Sequence, residues 1–213
     1  MLDAAERLWA ERGVDGVSLG QIREAAAQRN RSALQFHFGD RDGLRLALTQ
    51  RHMPRVAQLQ EGIYAALIAE GRQDDLAALV EAMVRPIAEY IRHGPSARAW
   101  VRVSADEMRR PEILLSAMAD HAPGVSRVIG TALLAQLSQT MEPELATERL
   151  LAVIMACQHL SADRARLEDA PPGTPVRAAL PFDRWLDNLL DMATAAMTAP
   201  ARRDRSTRED GDG

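Results

Sequence analysis

The chain has 213 residues, 46% of them apolar, and a net charge of −4. That length allows one large domain or two small ones, and the apolar share excludes global disorder. No apolar run approaches the roughly 18 residues of a membrane-spanning helix, the arginines and acids scattered through the N-terminus exclude a secretory signal, and the single Cys157 excludes an internal disulfide and a cysteine-based zinc site. A cytoplasmic protein is expected. The charge is uneven. Residues 1–55 hold nine Arg against seven acids, and the remaining 158 hold seventeen against twenty-three. A slightly basic head on an acidic body suits a DNA-binding head, although chance scatter accounts for so small an excess equally well.

Strand signals are nearly absent, and helical periodicity runs throughout, broken at Gly and Pro. An all-α chain is expected. The first helix spans about Leu2 to Arg12, with Leu2, Ala5, Leu8 and Trp9 on one face and Gly13 as its stop. Ser18 followed three residues later by Gln21 is a capping box, so a second helix starts there, turns Ile22, Ala25 and Ala26 inward and ends near Ala27. After about three residues Asn30 can cap a third helix, "RSALQFHF", in which Leu34 and Phe38 should point inward. Gly39 closes it, and Asp40 can cap a long fourth helix that Pro54 should kink or break.

Beyond Gly71 the chain reads as a helical bundle, with helices about Asp74–His93 (kinked at Pro86), Ser96–Arg110, Glu112–His121, Val125–Met141, Glu144–Glu168 and Phe182–Thr198. Ala170 to Pro181 is a loop. From Ala199 the chain has no apolar content beyond alanine and reads as a disordered tail. The expected division is 1–50 for the head (the motif at about 19–38), 51–198 for the body and 199–213 for the tail.

Two short helices joined by a tight turn, after a third, form the helix-turn-helix pattern. Its last helix lies in the major groove and shows its N-terminal residues to base edges, while the helix before it crosses the backbone and offers its amides to a phosphate. The side chains suit these tasks. Arg29 and Arg31 can neutralise phosphates or pair bidentately with guanine, and Asn30 and Gln35 can pair with adenine. Ser32 is short enough for close approach, His37 can donate to a phosphate, and Arg41 can reach the backbone beyond. A solvated basic helix would explain an isolated Arg-x-Arg better. Here the capping box, the tight turn and the inward Leu34 and Phe38 coincide with it.

The stretch "VSLGQIREAAAQRNRSALQFHFGDRDGLRLAL" resembles the DNA-binding domain of TetR-family transcriptional regulators over about residues 1–50. Ile22, Leu34, His37, Phe38, Arg41 and Leu44 stand where that family keeps its pattern, and Ser18 matches the hydroxyl residue that caps its second helix. The departures are Gln28 at the usual turn glycine, Arg29 and Asn30 in the rest of the turn, and Gln35 and Phe36 at the usual aromatic pair. Phe36 lacks the hydroxyl with which family tyrosines bond to phosphate. The resemblance implies a homodimer paired through the last two long helices on a palindromic DNA operator. It also implies a small-molecule effector in each body, whose binding swings the fourth helix and alters a spacing of roughly 34 Å between recognition helices. Most of the family represses, so repression is implied.

In the body, Leu150, Leu151, Ile154 and Met155 make one apolar stripe and Trp185, Leu186, Leu189 and Met192 another, each consistent with core or with a dimer interface. Met83, Tyr90, Trp100, Met108 and Met118 lie in the helices where relatives keep a ligand pocket, although such residues are more often core, and the ligand class stays open. No catalytic constellation emerges. Cys157 and His159 point to opposite sides of a helix, and His159 with Asp163 makes two ligands without a third. Asp74 and Asp75 suit a helix N-terminus, and His93 and His121 suit helix C-termini. His52 has no clear partner. No cofactor, metal site or membrane partner is expected. The alternative is an all-α enzyme or small-molecule-binding protein whose N-terminal unit only mimics the motif.

Overall fold

The computed structural model describes residues 1–27, 33–109, 124–171, 173–174 and 180–200, and for residues 33–35 the backbone alone. All regular elements among the described residues are helical. Helices α1 (Leu2–Arg12), α2 (Leu19–Ala25), α3 (Ala33–Phe38) and the start of α4 (Arg41–Ala69) form the head. The ends form where their caps dictate. The Gly13 N–H returns to the Trp9 carbonyl at 2.9 Å with φ at 77°, which the absent Cβ permits. The capping box at α2 is complete: Gln21 N–H donates to Ser18 Oγ at 3.2 Å, and Ser18 N–H donates to Gln21 Oε1 at 2.8 Å. Asp40 caps α4 by accepting from Gly43 N–H at 2.9 Å. Gly43 is required for a different reason. A Cβ there would lie 1.8 Å from the Phe38 carbonyl oxygen, so only glycine lets α4 leave α3 so tightly.

The body comprises α5 (Leu76–Tyr90), a 3₁₀ turn (Ile91–His93), α6 (Pro95–Glu107), α7 (Gly124–Leu137), α8 (Pro143–Glu168) and α9 (Phe182–Thr198). Asp75 caps α5 through the amides of Ala77 and Ala78, and Pro95 and Pro143 occupy first-turn positions, where no intrahelical N–H is lost. The expected helix over Glu112–His121 lies outside the described residues. Compared with expectation, α7 stops at Leu137 rather than Met141.

Neither internal proline breaks its helix, and the reasons differ. Pro54 sits on the exposed side of α4, where solvent can satisfy the carbonyl it leaves unbonded. Pro86 is buried within α5. Its missing N–H orphans the carbonyl of Ala82 four residues earlier, and Gln60 of α4 supplies the donor, its Nε2 lying 3.2 Å from that oxygen. The Gln60 carbonyl in turn accepts from the Ser126 hydroxyl of α7. One buried amide thus repairs a helix and ties three together.

Three apolar clusters result. The head cluster centres on Trp9, Ile22, Leu44 and Leu48 and borrows Ala99 and Val103 from α6. The body cluster joins α5, α7, α8 and α9 around Leu79, Ile129, Leu133, Leu150 and Leu186. Between them lies a third, with Val56, Trp100, Val101 and Ala162. Each large apolar side chain taken fully from water contributes about 1.5–3 kcal/mol. Arg164, buried at 5% exposure, fastens the start of α9 to α8. It donates to the Leu180 carbonyl at 2.7 Å and to Glu168, and lies 5.4 Å from the ring centroids of both Phe182 and Trp185. Replacing Gln60 with Leu should cost about 1–3 kcal/mol in urea unfolding, because it strands a buried carbonyl. A loss below about 0.5 kcal/mol would show that Ala82 finds another donor.

Candidate nucleic-acid interface and effector cavity

The geometry of the head sorts the candidate residues into three groups. Ser18 and Gln21 are committed to one another in the capping box, an arrangement that fixes where α2 begins. Arg29, Asn30, Arg31 and Ser32 lie outside the described residues, and Gln35 is placed on α3 by its backbone. His37 and Arg41 are fully described. His37 is exposed, with Phe36 edge-on to its ring at a centroid distance of 5.3 Å. Phe38 turns the other way, half-buried against the head cluster. The third helix therefore has an outer face carrying Phe36 and His37 and an inner one carrying Phe38. Leu34, expected inward, has its side chain outside the described set.

Arg41 has an internal task that the sequence did not disclose. Its guanidinium donates to the Val17 carbonyl at 2.9 Å and to that of Val14, with Asp15 at 4.0 Å. It closes the turn between α1 and α2 against the start of α4. Phe36 was legible only as an aromatic without a hydroxyl. At 84% exposure it is a large apolar side chain held in water beside His37, suited to contact with a thymine methyl group. The backbone of Ala27, just after α2, adopts φ of 51°. This left-handed conformation costs an alanine about 1 kcal/mol, and it falls one residue before Gln28, which stands at the family's usual turn glycine. Gln28 itself lies outside the described residues.

A cavity of about 1260 Å³ opens in the body between α4, α5, α6, α7 and α8. Of the five candidate pocket residues, Met83, Trp100 and Met108 line it. Tyr90 does not, because its hydroxyl is engaged at the junction described below, and Met118 lies outside the described residues. The cavity face of α8 runs Leu150, Leu151, Ile154, Cys157, Gln158 and Ser161, a helical stripe. Burial pushes the Cys157 thiol up to about 11, so near neutral pH it is a neutral part of the wall. His159, two residues on, is exposed. Among the described residues no group of three or more His, Cys, Asp or Glu is placed to hold a metal, and no helix is long and apolar enough to cross a membrane.

Residues 1–48 match the family model described as bacterial regulatory proteins, tetR family. The chain carries a TetR-family N-terminal domain. It is similar to the HTH-type transcriptional repressor AcnR of Corynebacterium glutamicum, 30% identical over 103 residues, which are 47% of this chain and 54% of that protein. It is also similar to the HTH-type transcriptional repressor Rv1474c of Mycobacterium tuberculosis, 32% identical over 113 residues, 50% of this chain and 57% of the relative. The matched stretch thus spans little more than half the length of either relative.

The TetR-family head is bonded to the body through side chains that the sequence left unassigned. His52 of α4, buried at 3% exposure, has Glu6 Oε2 of α1 at 2.8 Å from Nε2 and the Tyr90 hydroxyl of α5 at 2.8 Å from Nδ1. Its ring stacks on Trp100 of α6, centroids 5.3 Å apart. Burial raises the pKa of Tyr90, which keeps the phenol protonated. At the far end of α6, Asp106 accepts from the Val14 N–H at 3.1 Å, and Glu107 pairs with Arg45 of α4 at 2.6 Å. No sequence spacing announces these bonds, because their partners lie from 38 to 92 residues apart.

The strain at Ala27 gives a test of the turn. Ala27→Gly relieves the left-handed cost while making the unfolded chain more flexible. Thermal unfolding should therefore be nearly unchanged, within about 0.5 kcal/mol. A loss of about 1 kcal/mol, as at an ordinary helical alanine, would contradict the assigned backbone.

Proposed function

We propose that the chain is a sequence-specific DNA-binding transcriptional regulator, a repressor that sits as a homodimer on a palindromic operator and leaves it when a small-molecule effector binds. The observation that carries this reading is the match of residues 1–48 to the tetR family. It falls on a capped α2 and a third helix with His37 and Phe36 turned outward. The names of the two relatives support repression. On this reading residues 1–50 contact DNA, 51–198 bind effector and pair, and the protein acts in the cytoplasm without catalysing a reaction. Exposed Leu145 of α8 and Met192 of α9 suit pairing through the last two helices.

Within this reading Arg29 and Arg31 neutralise phosphates or read guanine, Asn30 and Gln35 read adenine, and Ser32 admits the duplex. His37 donates to a phosphate. Ser18 and Gln21 fix the amides at the start of α2 beside the backbone, and Arg41 sets the angle of α4 against that site. The cavity is connected to the head by α4 and α6, which line it and also carry Arg45 and Glu107. An occupant that moves either helix changes where α3 lies.

Titrating the full chain against fragments from its own gene's surroundings at several salt concentrations tests the proposal. Retention should be specific, and log affinity should fall against log salt by about 0.9 per neutralised phosphate. Arg31→Ala should cost roughly 1–3 kcal/mol and relax preference at one base position. Absent or salt-independent binding would overturn the regulator reading. Equal weakening on all sequences would make Arg31 a phosphate contact.

A further inference from the structure

We infer that the body cavity takes an uncharged, largely apolar molecule carrying one hydrogen-bond donor, an O–H or N–H, which is received by Gln158 Oε1 and the Ser161 hydroxyl. This rests on reading the cavity as the effector site and names the chemistry of its occupant.

The orientation of Gln158 follows from its neighbours. The Ser104 hydroxyl has one proton, and it donates that proton to the Val101 carbonyl at 3.0 Å. Toward Gln158, 2.7 Å away, Ser104 Oγ can then only accept, so Gln158 must present its NH₂ group there. Its Oε1 is left as an acceptor, without a hydrogen bond among the described residues, on a side chain that lines the cavity and is only 7% exposed. Ser161 lies three residues further on the same face, is 1% exposed and lines the same cavity. An acceptor facing the cavity in this way is free to receive a donor from an occupant.

The remaining polar groups argue against a charged occupant. Gln60 is engaged at both ends of its amide, with Ala82 and Ser126. The charged lining residues are Asp42, Arg45, Glu107 and Arg127, two of each sign, and Arg45 bonds to both Asp42 and Glu107. The rest of the wall is mostly aliphatic, with Met53, Val84, Ile87, Leu134 and Ile154 among it. An ion entering there would lose hydration against a lining that offers little in return.

Isothermal titration of the full chain with dodecan-1-ol, its methyl ether and dodecanoate separates the possibilities. The alcohol should bind about tenfold more tightly than the ether, the value of one hydrogen bond, and more tightly than the carboxylate. In Gln158→Leu most of the alcohol's advantage over the ether should be lost while the ether's own affinity holds. Ser161→Ala should narrow the gap, and each variant is checked by its melting temperature. Equal affinities for alcohol and ether in the unsubstituted protein, tighter binding of dodecanoate, or no binding of any probe would overturn the proposal. Retention of DNA is measured separately with and without the alcohol. Binding of alcohol over ether without any effect on DNA would sink the effector reading and leave the ligand class standing.

Discussion

A buried chain of three polar side chains, Glu6 to His52 to Tyr90, holds the head of this protein on its body. All three are under 8% exposed, so each relies on the next for the hydrogen bonds that water would otherwise supply. Arg51 reaches Glu6 from the surface at 3.5 Å and offsets its charge. With neutral His52 the imidazole donates to Glu6 and accepts the Tyr90 O–H. With a charged ring it donates to both oxygens. Either way the chain closes, and removing one member strands the others, at a cost of about 3–5 kcal/mol where a buried charge loses its partner. Trp100 stacked on His52 excludes water from the chain and commits α6 to the same junction.

This arrangement makes α4 and α6 shared property. Leu44 and Leu48 of α4 belong to the head cluster, and Met53, Val56 and Gln60 further along the same helix line the cavity. Ala99 and Val103 of α6 pack in the head, and Trp100, Ser104 and Glu107 face the cavity. The carboxylates at the end of α6 then grip the head twice, at Val14 and at Arg45. A ligand that displaces α6 acts on a helix bonded directly to the turn before α2. On the proposed reading, that is the route by which occupancy of the cavity would reach the third helix.

Local signals were legible in the sequence because they are short-range. Ser18 with Gln21, Asp40 before α4, Asp75 before α5 and Gly13 after α1 each announce a helix end by a cap only a few residues away, and each acts as read. How Pro86 is accommodated inside its helix was not legible, because the remedy is remote. Nothing near Pro86 in sequence shows that Gln60 will supply the missing donor. His52 looked partnerless for the same reason, since Glu6 and Tyr90 meet it only once three helices pack. Arg41 was read as a reach toward DNA, and its bonds to two carbonyls of the preceding turn depend on the angle between α1 and α4. In the cavity the pattern named the aromatic and methionine residues. The amide and hydroxyl face of α8 was passed over, because Gln158 and Ser161 read as ordinary helix surface until their burial is known.

A head and body joined through the Glu6–His52–Tyr90 junction should open as one unit. Native-state hydrogen exchange tests this most directly, by comparing amides of α1 with those of α5 and α6 in the unsubstituted chain and in Glu6→Gln. Helix α1 should exchange with the same opening free energy as α5 and α6 before substitution, and separately and faster after it. If α1 already opened alone, with protection well below that of α5 and α6, or if Glu6→Gln left the pattern unchanged, the junction would not be what joins them.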